Sequence, residues 1–233
     1  MSLRDFKVLT FDVVGTLIDF ERGMLTYLRS VAGPDGEKLT DDAILDRYRQ
    51  YRGNSPTKKF PDDLVRVYAA MAPELRLPAG GSFAEGFRDS IKEWPAFSDS
   101  VGSLKRLLQR YRLVAMTNAQ RWALDHMERT LGEPFHDTVT VDEARCEKPD
   151  PVFFGFTRGR LSRDGYVLED ILHVAQSQYH DIGVAKQLGY TVAWIERRKG
   201  LKGSGGTLEA KHTRPDWHFA TLAELADAVE REG

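Results

Sequence analysis

The stretch Lys7-Val-Leu-Thr-Phe-Asp12-Val-Val-Gly-Thr16-Leu-Ile-Asp19 decides how this chain is read. A short apolar, β-rich run ends on Asp12, and the Gly-Thr turn behind it leaves a carboxylate exposed at the carboxyl end of a strand. In an open α/β sheet that edge is where a nucleophile belongs. Val14, two residues further on, can neither give nor take a proton. Chemistry that needs a general acid at that position is in difficulty.

Further short apolar runs recur at Leu113–Asn118, Thr138–Val141, Ile171–Gln176, Thr191–Glu196 and Trp217–Phe219, mostly separated by amphipathic segments of helical length. That alternation predicts an α/β fold with a Rossmann-like, doubly wound parallel sheet. The first two runs are about a hundred residues apart, too far for a single crossover. The stretch between them reads as helices, with apolar patches around Met24–Leu28, Ile44–Tyr48, Leu64–Tyr68 and Phe83–Ile91. The predicted organisation is a core of residues 1–19 and 97–233 carrying an inserted helical cap of residues 20–96. Hinges are expected near Asp19–Glu21 and Trp94–Asp99. Residues 199–215, rich in Gly and Lys, read as a mobile surface loop.

Basic and acidic residues nearly balance at 33 and 35, and are interspersed along 233 residues. This excludes a nucleic-acid footprint and an anionic-membrane patch, and points to small-molecule partners. No apolar stretch reaches the ~18–20 residues of a membrane span, and the amino terminus lacks an export signal, so a cytoplasmic protein is expected. The lone Cys146 allows neither an internal disulfide nor a cysteine-cluster metal site. His126, His136, His212 and His218 lack metal-like spacing, and His173 falls inside a buried strand. Only His180 stands near the candidate site. Aromatic residues in the cap are candidates for a homodimer surface.

Four elements fall at or just beyond predicted strand ends: Asp12-Val-Val-Gly-Thr16, Met116-Thr117-Asn118, Glu147-Lys148-Pro149-Asp150-Pro151 and Val174-Ala-Gln-Ser-Gln-Tyr-His-Asp181. Singly, each reads as a turn former or helix cap. Together, and with a cap-sized insertion after the first, they resemble the haloacid dehalogenase superfamily across essentially the whole chain. The resemblance implies that Asp12 is a nucleophile forming an aspartyl intermediate that water then splits. It implies that Lys148 neutralises the clustered carboxylates and that Asp181 either positions the water or, as in phosphatases of the superfamily, binds magnesium. Thr117 and Asn118 match the motif that holds the substrate anion or displaced group. The charges agree independently, because a lysine close to two carboxylates should keep Asp12 ionised and lower its pKa.

A phosphate monoester is a dianion, so attack by a carboxylate needs magnesium and a proton donor. With Val14 in the first motif and Gln176 where phosphatases of the superfamily commonly carry aspartate, the chain is poorly equipped for both. A small carboxylic acid with a leaving group on C2 needs only the nucleophile and a cationic anchor. The sequence is therefore similar to the metal-independent 2-haloacid dehalogenases and to L-azetidine-2-carboxylate hydrolase, which implies a hydrolase requiring no cofactor. Magnesium belongs to the alternative, a small-molecule phosphatase. A third reading is a binding protein without turnover. Within the site, Val14, Thr16, Thr117, Asn118, Gln176 and Ser177 are the expected substrate contacts. Among Arg47, Arg49 and Arg52 of the cap, Arg49 is the preferred anchor for a substrate carboxylate. The pattern departs from dehalogenases at Val14 and Phe154, where they usually carry an aromatic residue and a tyrosine, and at Gln178, usually asparagine.

Overall fold

The computed structural model describes residues 2–53 and 58–232. Six strands, β1 (Val8–Phe11), β2 (Arg112–Thr117), β3 (Asp137–Thr140), β4 (Ile171–Ala175), β5 (Thr191–Ile195) and β6 (Trp217–Phe219), form one sheet in the order β3-β2-β1-β4-β5-β6. Every neighbouring pair is parallel. All six coincide, within a residue or two, with the apolar runs of the sequence. β1 lies at the centre, with Phe11 opposite Ala115 of β2 and Val174 of β4. The order reverses on either side of β1, and the carboxyl-end crevice of such a sheet opens at that reversal. Asp12 is the next residue of the chain.

Successive strand residues face opposite sides of the sheet, and here both sides are covered. On one side Leu9, Phe11, Leu113, Ala115, Leu172 and Val174 pack with α5 (Ser100–Leu107), α6 (Arg121–Leu131) and α10 (Leu222–Arg231). On the other, Val8, Val114, Met116, Ile171 and Val192 pack with α8 (Pro151–Arg163) and α9 (Gly183–Gln187). Each fully buried leucine, valine or phenylalanine contributes about 1.5–3 kcal/mol relative to leaving it in water. The short helix α7 (Val141–Ala144) follows β3 and is fixed by a Thr140–Glu143 capping box.

Between β1 and α5 the described residues form four further α-helices: α1 (Phe20–Ala32), α2 (Asp41–Gly53), α3 (Leu64–Met71) and α4 (Gly81–Asp89). They account for the four apolar patches between the first two runs. The two crossings run side by side: Ile18 bridges Ala96 in antiparallel sense, Asp19 N–H donates to the Pro95 carbonyl (2.8 Å) and Phe97 N–H to that of Leu17 (3.0 Å). Just above them Trp94, 1% exposed, packs between Phe20 and Phe60, with ring centroids 6.4 and 6.2 Å away. Phe20 continues the cluster to Tyr48 at 6.1 Å. This aromatic group includes Phe20, Tyr48 and Phe60, which reach the cavity described below.

Two features near β5 bear on the site. Arg197 donates through Nε to the Thr16 carbonyl (2.9 Å) and through Nη1 to both carboxylate oxygens of Asp99 (2.8 and 2.9 Å), lying 4.2 Å from the Phe97 ring centroid. Asp99 also accepts the Leu222 and Ala223 N–H groups at the start of α10 (2.7 and 3.1 Å). The second feature corrects the sequence reading of residues 199–215. Their ends are exposed, but Gly205 and Gly206 are buried against α1 and the segment is hydrogen-bonded to both halves of the molecule. Glycine and lysine content signalled a solvated loop because composition does not reveal a close backbone approach.

Candidate active site

Asp12 stands one residue beyond β1, where its N–H still donates to the Val174 carbonyl (3.1 Å). Gly15 then turns the chain with φ +91°, a backbone region that favours glycine, and a Cβ there would stand 3.2 Å from the Phe20 ring. The turn brings Thr16 back, so that its hydroxyl donates to Asp12 Oδ2 (2.6 Å) and accepts the Gln176 N–H (2.8 Å). Thr16 thus holds the carboxylate from behind rather than lining the cavity.

Lys148 lies on the segment between α7 and α8, just before the Asp150 N-cap and Pro151 that start α8. Its backbone is clasped by Asn118, whose Nδ2 donates to the Lys148 carbonyl (2.9 Å) and whose Oδ1 accepts the Lys148 N–H (2.7 Å). The ammonium is buried and has acceptors at Asp12 Oδ1 (2.9 Å), Asp181 Oδ1 (2.7 Å) and the Met116 carbonyl (2.8 Å). An ammonium has three donors, and all three are used. Lys148 therefore joins the two carboxylates and has no donor left for a substrate anion.

Asp181 is fully buried in a π-helical turn, Gln178–Ile182, that follows β4 and is capped by Ser177. Its Oδ1 also meets His173 Nε2 (3.1 Å), and His173 Nδ1 meets the Thr10 hydroxyl (2.9 Å). Asp181 Oδ2 is buried without a hydrogen-bond partner among the described residues. An ionised oxygen left in that state calls for a water or other donor.

The two carboxyls are driven in opposite directions. Burial raises Asp181, but Lys148 and the hydrogen-bonded His173 outweigh it and bring it down to about 2. For Asp12, burial dominates and raises the pKa above 3.8; Lys148 opposes the rise and Asp181 adds to it. The sequence reading had the direction for Asp12 reversed, since it counted the lysine and could not see the desolvation. Lys148 is held above its ordinary value: burial would lower it, but Asp12 and Asp181 outweigh that effect, so it remains an ammonium. His180 is lowered to about 4, chiefly by burial, and is a neutral imidazole at neutral pH.

These groups surround a cavity of about 80 Å³. Of the residues expected from sequence, Asp12, Val14, Thr117, Asn118, Lys148, Gln176 and Ser177 line it, while Asp181 sits directly behind Lys148. Arg49 does not reach it. Its guanidinium bonds the Gly205 carbonyl and Asp46 instead. The cation that the helices present is Arg52, which lies 5.6 Å from the Phe60 ring centroid and donates to Glu147 (3.1 Å). The same wall holds Phe20, Tyr48 and Phe60, and residues 206–208 complete it. Helical spacing alone could not choose between Arg49 and Arg52, because the choice depends on how α2 is rotated against the sheet.

The chain superposes along nearly its whole length on solved structures that share this architecture. An L-2-haloacid dehalogenase from Xanthobacter autotrophicus matches with a TM-score of 0.76 at 19% identity, over 98% of this chain and 100% of that one. The chain has the haloacid dehalogenase fold. The defluorinating L-2-haloacid dehalogenase Rha0230 matches equally well, with a TM-score of 0.76 at 19% identity over 98% of both chains. So does a protein assigned as a HAD-hydrolase from Bacillus subtilis, bound to magnesium, at 0.76 and 19% over 97% and 99%. No protein-family model and no curated protein matches the chain. Within the haloacid dehalogenase fold, Asp12, Asn118, Lys148 and Asp181 all gather at the carboxyl ends of the central strands.

Proposed function

We propose that the protein is a hydrolase in which Asp12 displaces a C2 substituent, a halide or a strained-ring amine, from a small carboxylic acid. The supporting observation is the division of labour around Lys148. One carboxylate, Asp12, faces the cavity; the other, Asp181, is locked behind it with one oxygen unpartnered; and the lysine between them is saturated. In this reading residues 20–96 act as the cap, and residues 1–19 with 97–233 as the catalytic core.

An Asp12 oxygen bonds to C2 as the C2–halogen bond breaks and the halide leaves with the bonding pair. For a protonated ring amine, the nitrogen leaves as the neutral amine. Water then adds to the carboxyl carbon of Asp12, giving a proton to Asp181 Oδ2. As the bond between that carbon and the oxygen on C2 breaks, Asp181 passes the proton to the departing oxygen, which leaves as the hydroxyl of the 2-hydroxy acid, and the Asp12 carboxyl releases the second water proton to solvent. Neither step requires an acid at the Val14 position. Lys148 offsets the charge of the two carboxylates during the second step, when Asp12 again becomes an anion. Arg52 is the group suited to hold the substrate carboxylate, exchanging Glu147 for it.

The fold also occurs with bound magnesium, in the Bacillus subtilis protein. In this chain Oδ1 of both Asp12 and Asp181 is taken by Lys148, and among the described residues no three His, Cys, Asp or Glu side chains converge as a metal-binding group. This donor set fits a divalent cation poorly, and no step is routed through one. The test pairs a 2-haloacid panel with a phosphomonoester panel, each with magnesium and with chelator. Halide release that ignores chelator, with oxygen-18 from water entering Asp12, is the expected result. Magnesium-dependent phosphate release would overturn the proposal.

A further inference from the structure

The excursion between β5 and β6 supplies part of the cavity although it belongs to none of the four strand-end elements. Gly206, Thr207 and Leu208 line the space that Asp12 faces. From the sheet side, the Thr207 hydroxyl lies 3.1 Å from Gln176 Nε2 and 3.3 Å from Gln176 Oε1, and Thr213 N–H donates to Gln178 Oε1 (2.9 Å). From the helical side, Glu21 accepts the Gly206 N–H (2.8 Å) and pairs with Arg198 (2.5 Å), while Arg49 bonds the Gly205 carbonyl. Arg49, expected from sequence to hold substrate, instead anchors this segment.

The approach is too close for side chains. Gly205 has φ +62°, and a Cβ on Gly206 would stand 2.8 Å from the Phe20 ring, itself a wall of the cavity. Gly205 fits against Glu21 and Arg198 and Gly206 against Phe20, which lets the backbone bring Thr207 and Leu208 to the cavity wall. Leu208 lines a cavity small enough for the size of one side chain to matter. Beyond its contacts with Thr207, the Gln176 amide has a second N–H and a second oxygen lone pair to offer a bound molecule.

We propose that Thr207 and Leu208 are the specificity-determining residues of the site: Leu208 limits the length of the alkyl chain carried on the reacting carbon, and Thr207 fixes the Gln176 amide that the substrate meets. This rests on the function proposed above for the substrate class. A pocket wall that gains or loses methylene-sized space changes discrimination by about tenfold or more.

The experiment measures kcat/KM for unbranched 2-bromo acids from acetate to hexanoate, with the wild type and with Leu208→Ala, Leu208→Phe and Thr207→Val. Leu208→Ala is expected to raise the hexanoate-to-propionate ratio about tenfold or more, mainly through KM, and Leu208→Phe to lower it. Thr207→Val should raise KM across the series with less change in the ratio. A purely structural role for Leu208 would lower all substrates together, and an unchanged ratio in both Leu208 variants would overturn the proposal. If the wild type instead cleaves phosphomonoesters, the function proposed above fails. The same ratio read on alkyl phosphates of matching lengths then decides the wall separately, a shift supporting it and a flat profile overturning it.

Discussion

The two sides of the cavity are built in different ways. On the sheet side Asp12, Asn118, Lys148 and Asp181 are buried or half-buried at strand ends and joined by hydrogen bonds of 2.7–2.9 Å, with the lysine fully committed. On the facing side Phe20 comes from α1, Tyr48 and Arg52 from α2, Phe60 from the segment before α3 and Leu208 from an excursion, and among the described residues the guanidinium of Arg52 meets Glu147 at 3.1 Å and Asp63 at 3.8 Å. In the reaction proposed above, the sheet-side network fixes where a bond is made, and the apolar wall with Arg52 fixes what is brought to it. The contrast separates reaction from recognition, and it can be broken by substitution.

The largest effect is expected from Asp12→Asn, which keeps the shape and removes the nucleophile. Turnover should fall by about a thousandfold or more, with no covalent adduct on the intact protein by mass spectrometry. Lys148→Met comes next, since it leaves two buried carboxylates without their shared cation. It should cost about 3–5 kcal/mol in denaturant unfolding and lower kcat by about a hundredfold. Retained stability in that variant would show that the sheet side is not held by charge pairing.

On the facing side, Arg52→Ala should raise KM by about tenfold or more for an anionic substrate, while kcat changes less. Arg49→Ala, one helical turn away, should stay within about threefold, as expected for a residue that holds backbone rather than substrate. Equal effects of the two would erase the distinction. The smallest effect concerns pH. Asp12 must be ionised to attack, and its pKa is raised above 3.8, so kcat/KM should begin to fall at a higher pH than an ordinary aspartate would dictate. Asp181 works the other way for stability. Its carboxyl is lowered in the folded state, so its contribution is present above 3.8 and is lost as pH falls towards about 2.

The sheet side was legible in the sequence because the signal is local. Each strand is a short apolar run, and Asp12 and Asn118 follow theirs directly, whereas Lys148 and Asp181 stand beyond α7 and in the turn after β4 and were placed with them through the resemblance of the four elements taken together. The facing side was not, because its geometry depends on contacts distant in sequence. Arg52 is selected by Glu147 and Phe60, neither of which α2 contains. Thr207 and Leu208 sit in a segment whose composition resembles solvent-exposed chain, and only the burial of Gly205 beside Glu21 and Arg198 and of Gly206 on Phe20 reveals otherwise. The pKa of Asp12 was misjudged for the same reason, since burial is a property of the assembled fold.

The link through Arg197 ties the chemistry to a distant end of the chain. Because Asp99 receives the first N–H groups of α10 while gripping the guanidinium that holds the Thr16 carbonyl, shortening the polypeptide ahead of Leu222 would withdraw support from the loop behind the nucleophile. A loss of turnover in such a trimmed protein would come from slackened backbone at Thr16, with every reactive side chain still in place.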